Sequence, residues 1–437
     1  MPRPGDRHKD ESLRVLVAQI GARRHYAVPA ALEAAGVLER LVTTGCGSHP
    51  LVRAAAALPS RFLPGPMRRM TQRIVTGVPA SKIASTLRFD LKRSGGARTA
   101  EERYAGYVRQ NRAFGQHVCR GGFGSANAVY GFNAAAVEVF EAARKLGLSC
   151  FLDQTMAPFA YVETLLADER RRWPGWEEDV IRDAWRGLEE RERREWELAD
   201  VIVCGSPFVV ESIEACGGPA EKCRVAEYGY PQSMAFPGPR EPRTVAEGRP
   251  LNVLFAGTLS LRKGFPYVVE AARRLKGSAV TFRAVGPSEI HPAAVTEARE
   301  FVEIRGAVPR GEMPGHYAWA DLLVVPSLAE GSANVAQEAL AAGVPVIATT
   351  AAGTQVEESL SGRIVPAGDA TALAEAIEAY RSAPAMWQAH SDRARQTQAS
   401  SASAGDYGQR LLSALNSARV LETAAPLTRP HREASLS

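Results

Sequence analysis

Short runs of β-branched and other apolar residues alternate along this chain with longer segments whose apolar positions recur every three or four residues. RVLVAQIG (14–21) comes first, then VPAALEAAG (28–36), a helical pattern that stops at Gly36, then the strand-like LERLVTTG (38–45). Residues 50–125 break the rhythm. Pro59, Pro64, Pro66 and Pro79 interrupt any long helix, so the pattern predicts an irregular insertion. Alternation resumes with ANAVYGF (126–132), a helix over 134–146 closed by Gly147, and the strand LSCFLD (148–153). GLEERERREWELA (187–199) reads as a helix whose alternating charges mark a solvated face. DVIVCGS (200–206), a helix over 207–216 and KCRVAEYG (222–229) complete the first half.

PGPREPRTVAEGRP (237–250) holds four prolines and no apolar pattern, a linker composition. Beyond it come LNVLFAG (251–257), a helix over 265–276, AVTFRAVG (279–286), VEIRGAV (302–308), a helix near 311–319 and DLLVVPS (321–327). A helix over 333–342, VPVIAT (344–349), GRIVPAG (362–368) and a helix over 371–382 follow. Nearly all-apolar strands separated by single helices predict parallel sheets covered on both faces. The expected fold class is therefore α/β, with two doubly wound, Rossmann-like domains: 1–236, carrying a basic insertion over 50–125, and 251–382. Helices over 383–420 are expected to pack back on the first domain, and 421–437 reads as a disordered tail. In such folds ligands sit beyond the carboxyl ends of the strands, which puts the site in the cleft between the domains.

Composition is ordinary for a globular protein, with 437 residues, 45% hydrophobic and 23% charged. No apolar stretch reaches the roughly 18 residues of a membrane span, and the polar start MPRPGDRHKDES lacks the apolar core of a signal peptide, so a cytoplasmic location is expected. Six cysteines without a CxxC or histidines at zinc spacing read as reduced core thiols, and no metal is expected. Charge is uneven. Residues 51–112 hold 13 Lys/Arg against 3 Asp/Glu, a net of +10 within a chain of net +5. That is either a solvated arginine-rich surface or a docking face for an anionic membrane or phosphate-bearing acceptor. The segment has few aromatics and no nucleic-acid-binding signature occurs, so no nucleic-acid partner is expected.

Two motifs carry chemistry. In VVPSLAEGSANVAQEALAAGVPVIAT (324–349) a buried strand ends at Ser327, a loop carries Glu330, Gly331 and Ser332, and a helix starts near Ala333. A helix start offers unpaired N–H groups to phosphate, and Gly331 lets backbone approach a ligand without a Cβ in the way. Glu338 follows eight residues after Glu330, among apolar neighbours, where a carboxylate needs a partner. In LFAGTLSLRKGFPYVVEAARRL (254–275) a strand runs into a turn bearing Arg262 and Lys263 before the next helix. Two adjacent cations there suit neutralisation of a diphosphate leaving group. GGFGSA (121–126), by contrast, precedes a strand and so lacks the context of a dinucleotide fingerprint.

EGSANVAQE resembles the E-x7-E motif of retaining, family-four-type glycosyltransferases of the GT-B fold, and GTLSLRKG is similar to their donor-phosphate loop. The likeness runs from about residue 199 to about 380. It implies a nucleotide-diphospho-sugar donor, no cofactor, and a carbohydrate or lipid-linked acceptor. On that likeness Glu330 would contact the donor sugar, Glu338 the ribose and Lys263 the diphosphate, with Arg262 in support. Asn334 and Val335 would meet the phosphates through their N–H groups, and Thr354 would sit beside the nucleotide or sugar. There are departures: Gly257-Thr258 stands where the family usually has Gly-Arg, the glycine-rich first loop shrinks to Gly21, and Asn133 replaces a frequent His. On the acceptor side His25, Tyr26, Asn133 and Gln154 end strands facing the cleft; a loop His among arginines is as readily a merely exposed residue. WPGWEED (173–179) reads as local packing. The expected activity is glycosyl transfer in polysaccharide, glycolipid or glycoconjugate biosynthesis. The alternatives on the same donor half are a nucleotide-sugar epimerase, a glycan phosphorylase, or a non-catalytic binding scaffold.

Overall fold

The computed structural model describes residues 12–59, 62–91, 99–178, 183–228, 249–401 and 404–424. Two parallel sheets are covered by helices on both faces. The first has seven strands: β1 (Val15–Gln19), β2 (Leu38–Thr44), β3 (Ile83–Thr86), β4 (Ala128–Phe132), β5 (Ser149–Gln154), β6 (Val201–Cys204) and β7 (Cys223–Val225). Their spatial order is β3-β2-β1-β4-β5-β6-β7, so the winding reverses between β1 and β4. The second has β8 (Leu251–Ala256), β9 (Val280–Val285), β10 (Glu303–Ile304), β11 (Leu322–Val325), β12 (Val346–Ala348) and β13 (Gly362–Ile364), ordered β10-β9-β8-β11-β12-β13, with its reversal between β8 and β11. Every residue of β1, β4, β6 and β11 is buried, which is why these runs are almost wholly apolar and do not alternate; Gln19, at the end of β1, turns its amide to backbone carbonyls. Both reversal points open where ligands bind in doubly wound sheets.

Three expectations change. The stretch 50–125 is more ordered than its prolines suggest. It supplies the edge strand β3 and the 21-residue helix Ala100–Arg120, whose Phe114 and Val118 pack in the first domain's core. Thr99 starts that helix, its hydroxyl accepting from Glu102 N at 3.2 Å, so the Thr-x-x-Glu sequence forms a start signal the prolines obscured. The helix Asp183–Leu198 has a buried side as well as a charged one: Glu192 and Glu195 are inside the protein. The loop around Trp173 and Trp176 is an inter-domain strap, since Trp176 joins the core cluster of the second domain against Phe265 and its carbonyl accepts from His291 N at 2.7 Å.

Most of the expected linker 237–250 and the tail beyond residue 424 lie outside the described residues. Arg249 enters the second sheet by clasping buried Asp321 with both guanidinium nitrogens, at 2.8 and 2.7 Å. The helix Pro384–Ser401 lies on the second domain, and the helix Ala404–Ala424 crosses back, burying Tyr407, Leu411 and Leu415 in the core of the first. It continues to Ala424, past residue 421 where the sequence pattern fades.

Candidate functional site

The two motifs meet at the junction of the domains. β8 ends at Gly257, and a Cβ on Gly286 after β9 would stand 1.9 Å from Gly257 O, so the two strand ends are in backbone contact and Gly286, at φ 151°, has no room for a side chain. Thr258 begins the turn that carries Ser260, Arg262 and Lys263, and it is half-buried. The turn is tied to the loop after β11: Leu328 N donates to Arg262 O at 2.9 Å and Arg262 Nη1 to Ala329 O at 2.8 Å. These bonds bring Glu330 between the cations. Lys263 Nζ lies 2.7 Å from Glu330 Oε1, and Arg262 Nη1 pairs with the same oxygen. Burial alone would raise the Glu330 pKa, but the charges and hydrogen bonds of Arg262 and Lys263 outweigh it and hold the carboxyl below its ordinary value.

Gly331 is where the first domain touches this loop. A Cβ there would meet Thr155 O at 1.9 Å, and Ser206 Oγ donates to Gly331 O at 2.7 Å. Ser332, Asn334 and Val335 are half-buried at the start of the helix Asn334–Ala341, whose first residue has no side-chain cap. Glu338 is 3% exposed and accepts from Tyr317 Oη at 2.7 Å and Arg310 Nη2 at 3.1 Å. Thr354 Oγ1 is buried without a hydrogen-bond partner among the described residues. Next to it, Gln355 links Gln337 (2.9 Å) to Glu227 of the first domain (2.7 Å).

Across the cleft, the turn after β1 holds Arg24, His25 and Tyr26 in succession at φ 50°, 50° and 63°. Three non-glycine residues in the left-handed region persist only if their surroundings insist on it. Here Arg24 is buried against Asp153 (2.6 Å) and Tyr407 Oη (2.9 Å) and stacks on Tyr228, while Gln19 Nε2 braces the carbonyls of Gly21 and Arg23. The turn therefore aims Tyr26 into the core, fully buried with Leu32 and Leu41, and Tyr26 is removed from the acceptor side. His25 remains at the surface. Its imidazole is held below its ordinary pKa by desolvation first and then by the charge of Arg310 opposite.

Gln154 is likewise withdrawn. It is fully buried, donating to Glu192 Oε1 (2.6 Å) and Met156 O (3.0 Å) and accepting from Trp196 Nε1 (3.0 Å). Asn133 is 3% exposed; it donates to Glu192 at 3.2 Å, accepts from Thr155 Oγ1 at 2.8 Å, and edges the main cavity. That cavity, of about 840 Å³, runs between the domains and includes Arg23, Asn133, Thr155, Ser260 and Arg262 in its wall. Sequence reasoning missed Tyr317 and Arg310, the partners of Glu338. It also missed Glu177 of the strap, whose Oε1 accepts from Leu261 N at 2.6 Å beside Arg262. These come from separate elements and leave no local signature.

Residues 250–382 match the family model described as glycosyl transferases group 1. A protein of Escherichia coli (strain K12) named WcaL, a colanic acid biosynthesis glycosyltransferase by that name, is 31% identical over 196 residues, 41% of this chain and 47% of its own. This chain thus spans about half the length of the curated relatives it matches. Among solved structures, Anabaena HepE in complex with UDP and glucose aligns over 93% of this chain and all of its own, with a TM-score of 0.60 at 14% identity. Sucrose-phosphate synthase from Thermosynechococcus elongatus aligns over 95% and 100%, with a TM-score of 0.62 at 18% identity. The second half of the chain therefore contains a group 1 glycosyl transferase domain, set in a two-domain fold of the GT-B type.

Proposed function

We propose that this protein transfers a glycosyl group from a nucleotide-diphospho-sugar to an acceptor hydroxyl, with retention, in the synthesis of a bacterial-type polysaccharide, glycolipid or glycoconjugate. The observation that carries the reading is the Glu330 carboxylate held between Arg262 and Lys263 at the domain junction. The two cations stand at the carboxyl end of β8, poised to take up the charge that develops on a nucleoside diphosphate as the anomeric bond breaks. Glu330 keeps them in place and is the carboxylate that a donor sugar would meet there. Glu338 has lone pairs beyond those taken by Tyr317 and Arg310, and these suit the vicinal hydroxyls of a ribose. Asn334 and Val335 present the helix start to phosphate, and Thr354 offers a hydroxyl beside it. Contact of Gly331 with Thr155 and Ser206 ties the two domains together beside Glu330, and a donor and acceptor filling the cavity would displace water, which favours an acceptor hydroxyl over hydrolysis. Departure of the diphosphate on the same face as attack accounts for retention without a protein nucleophile.

Separately, we propose that the basic insertion rests on an anionic membrane surface. Leu51, Leu58, Phe62 and Ile74 are 57–67% exposed, and Arg68 and Arg69 are exposed among them, in a stretch without a single acidic residue from 50 to 74. Exposed apolar side chains interleaved with arginines suit a lipid interface at roughly 1 kcal/mol per cation. Arg73 is excluded from that role, since it is spent on Asp90 (2.5 Å) and Gly45 O (3.0 Å).

A thermal-shift screen of nucleotide-sugars, followed by transfer assays, tests the core of this reading. At least one nucleotide-sugar should raise the melting point, because a ligand that binds only the native state stabilises it. Absence of any shift, or turnover of the nucleotide-sugar alone to an epimer, rejects the transferase reading. Cosedimentation with phosphatidylglycerol vesicles at low salt, lost in Arg68→Glu/Arg69→Glu, tests the membrane contact; a protein that stays in solution ends that part.

A further inference from the structure

The inter-domain cavity has a wall that the donor machinery does not use. On the side of the first domain it is built from the helix Ala100–Arg120, the strap, and the helix Asp183–Leu198. Tyr104 and Trp185 lie face against face there, ring centroids 4.3 Å apart and tilted 35°. Phe159 extends the aromatic surface beyond Trp185 (5.8 Å), and Tyr107 extends it beyond Tyr104 (6.1 Å). Burial drives the Tyr104 phenol up to about 12, so it stays a neutral hydroxyl at any physiological pH.

Around these rings the polar groups alternate in sign. Arg103 meets Glu178 only loosely, at 3.8 Å, and Arg170 and Glu289 also line the space. Two buried donors in this wall, Trp185 Nε1 and Arg170 Nε, have no hydrogen-bond partner among the described residues. Both nitrogens are themselves covered, so what these side chains present to the cavity is ring face and guanidinium edge, with Arg103 and Glu178 supplying the exposed polar groups at the rim. At its inner end the cavity reaches Ser260 and Arg262, next to Lys263 and Glu330.

An aromatic face with mixed donors and acceptors at its rim matches a polyhydroxylated ring better than a lone anion. A single anionic headgroup calls for converging cations without interleaved glutamates. The volume, about 840 Å³, lies in the upper part of the range of small-ligand pockets and exceeds what one sugar ring needs. We infer that this wall is an acceptor-saccharide subsite: Tyr104, backed by Trp185, stacks a sugar ring of an oligosaccharide acceptor, and Arg103 and Glu178 at the rim meet its hydroxyls. The inference rests on the transferase reading for what happens at the inner end, while binding of the saccharide itself does not depend on it.

The test separates the two. The full chain is screened on an array of neutral and uronate-bearing bacterial oligosaccharides, and any retained glycan is titrated into the wild type, Tyr104→Ala and Trp185→Phe. The inference expects retention of at least one oligosaccharide, weakened roughly tenfold by Tyr104→Ala and several-fold by Trp185→Phe. Nucleotide-sugar melting shifts should be unchanged in both variants. Trp185→Phe keeps a ring in place, so the test stands even where Tyr104→Ala fails to fold. No glycan retained, or equal affinity in the folded variants, overturns the subsite. Glycan binding without any nucleotide-sugar shift would leave the subsite standing and remove the donor reading alone.

Discussion

Glu330 and Glu192 are both buried carboxylates, yet their surroundings shift their pKa values in opposite directions. Glu330 lies between Arg262 and Lys263, and its pKa is held below the ordinary value. Among the described residues, Glu192 has no cation against it. It accepts only from neutral groups, Gln154 Nε2 at 2.6 Å, Phe159 N at 2.8 Å and Asn133 Nδ2 at 3.2 Å, and burial pushes it up to about 7. The first site gathers positive charge beside the inter-domain cavity; the second uses hydrogen bonds to hold the ends of β4 and β5 in place. Burial thus marks neither residue as functional by itself. What distinguishes them is the charge of the partners and whether the domain junction reaches them.

The largest expected effect lies on the structural side. Glu195, one turn on from Glu192, accepts from Ala134 N (2.6 Å), Ala136 N (2.7 Å) and Val137 N (3.2 Å), the start of the helix Val137–Lys145. Glu195→Ala leaves these groups without an acceptor and should cost about 3 kcal/mol in denaturant unfolding. A loss below about 0.5 kcal/mol would erase the structural half of the contrast. Next comes Lys263→Ala, which should cut transfer at least about tenfold, or 1.4 kcal/mol and above, at nearly unchanged melting temperature. Unaltered kinetics would detach Lys263 from the leaving group.

Glu177→Ala should have a smaller effect, a few-fold on transfer, because it frees Leu261 N and loosens the turn carrying Arg262. Glu177 also lines the cavity, away from the stacked rings, so glycan titration should move less than in Tyr104→Ala; a loss as large as that variant's would mean the strap has shifted as a whole.

The pH dependence is the subtlest. Glu192 is raised on folding, so its contribution to stability is full below about pH 4.5 and is lost as pH rises through about 7. Glu330 is lowered, so its contribution is present above about pH 4.5 and is lost only on acidification. Glu192→Gln should therefore flatten the decline of melting temperature between about pH 5 and about pH 8. An unchanged slope would show that another group carries it.

How much of this was legible depends on how far apart the interacting residues lie in the chain. Arg262, Lys263 and Glu330 each sit on a strand–turn–helix unit, where apolar runs and a glycine announce the turn, and their placement beyond β8 and β11 follows from parallel winding. Tyr26 and Gln154 show the limit. Gln154 ends a strand that points at the cleft and Tyr26 lies in the turn that follows another, but the left-handed turn after β1 rotates Tyr26 inward, and Glu192 and Trp196 claim Gln154. Neither the buried Arg24 network nor the inner face of the helix Asp183–Leu198 is visible in a periodicity dominated by charge.

The order of strands and helices, the two doubly wound halves and the cationic turn beside an acidic loop were written in local patterns, because a buried parallel strand must be apolar along its length and a tight turn must use residues that allow it. Which carboxylates would be charged, which aromatic rings would share a wall, and that Gly331 would rest on Thr155 were decided only when distant segments packed. A side chain's pKa and accessibility depend on neighbours contributed by other elements, and their identity is a property of the assembled fold.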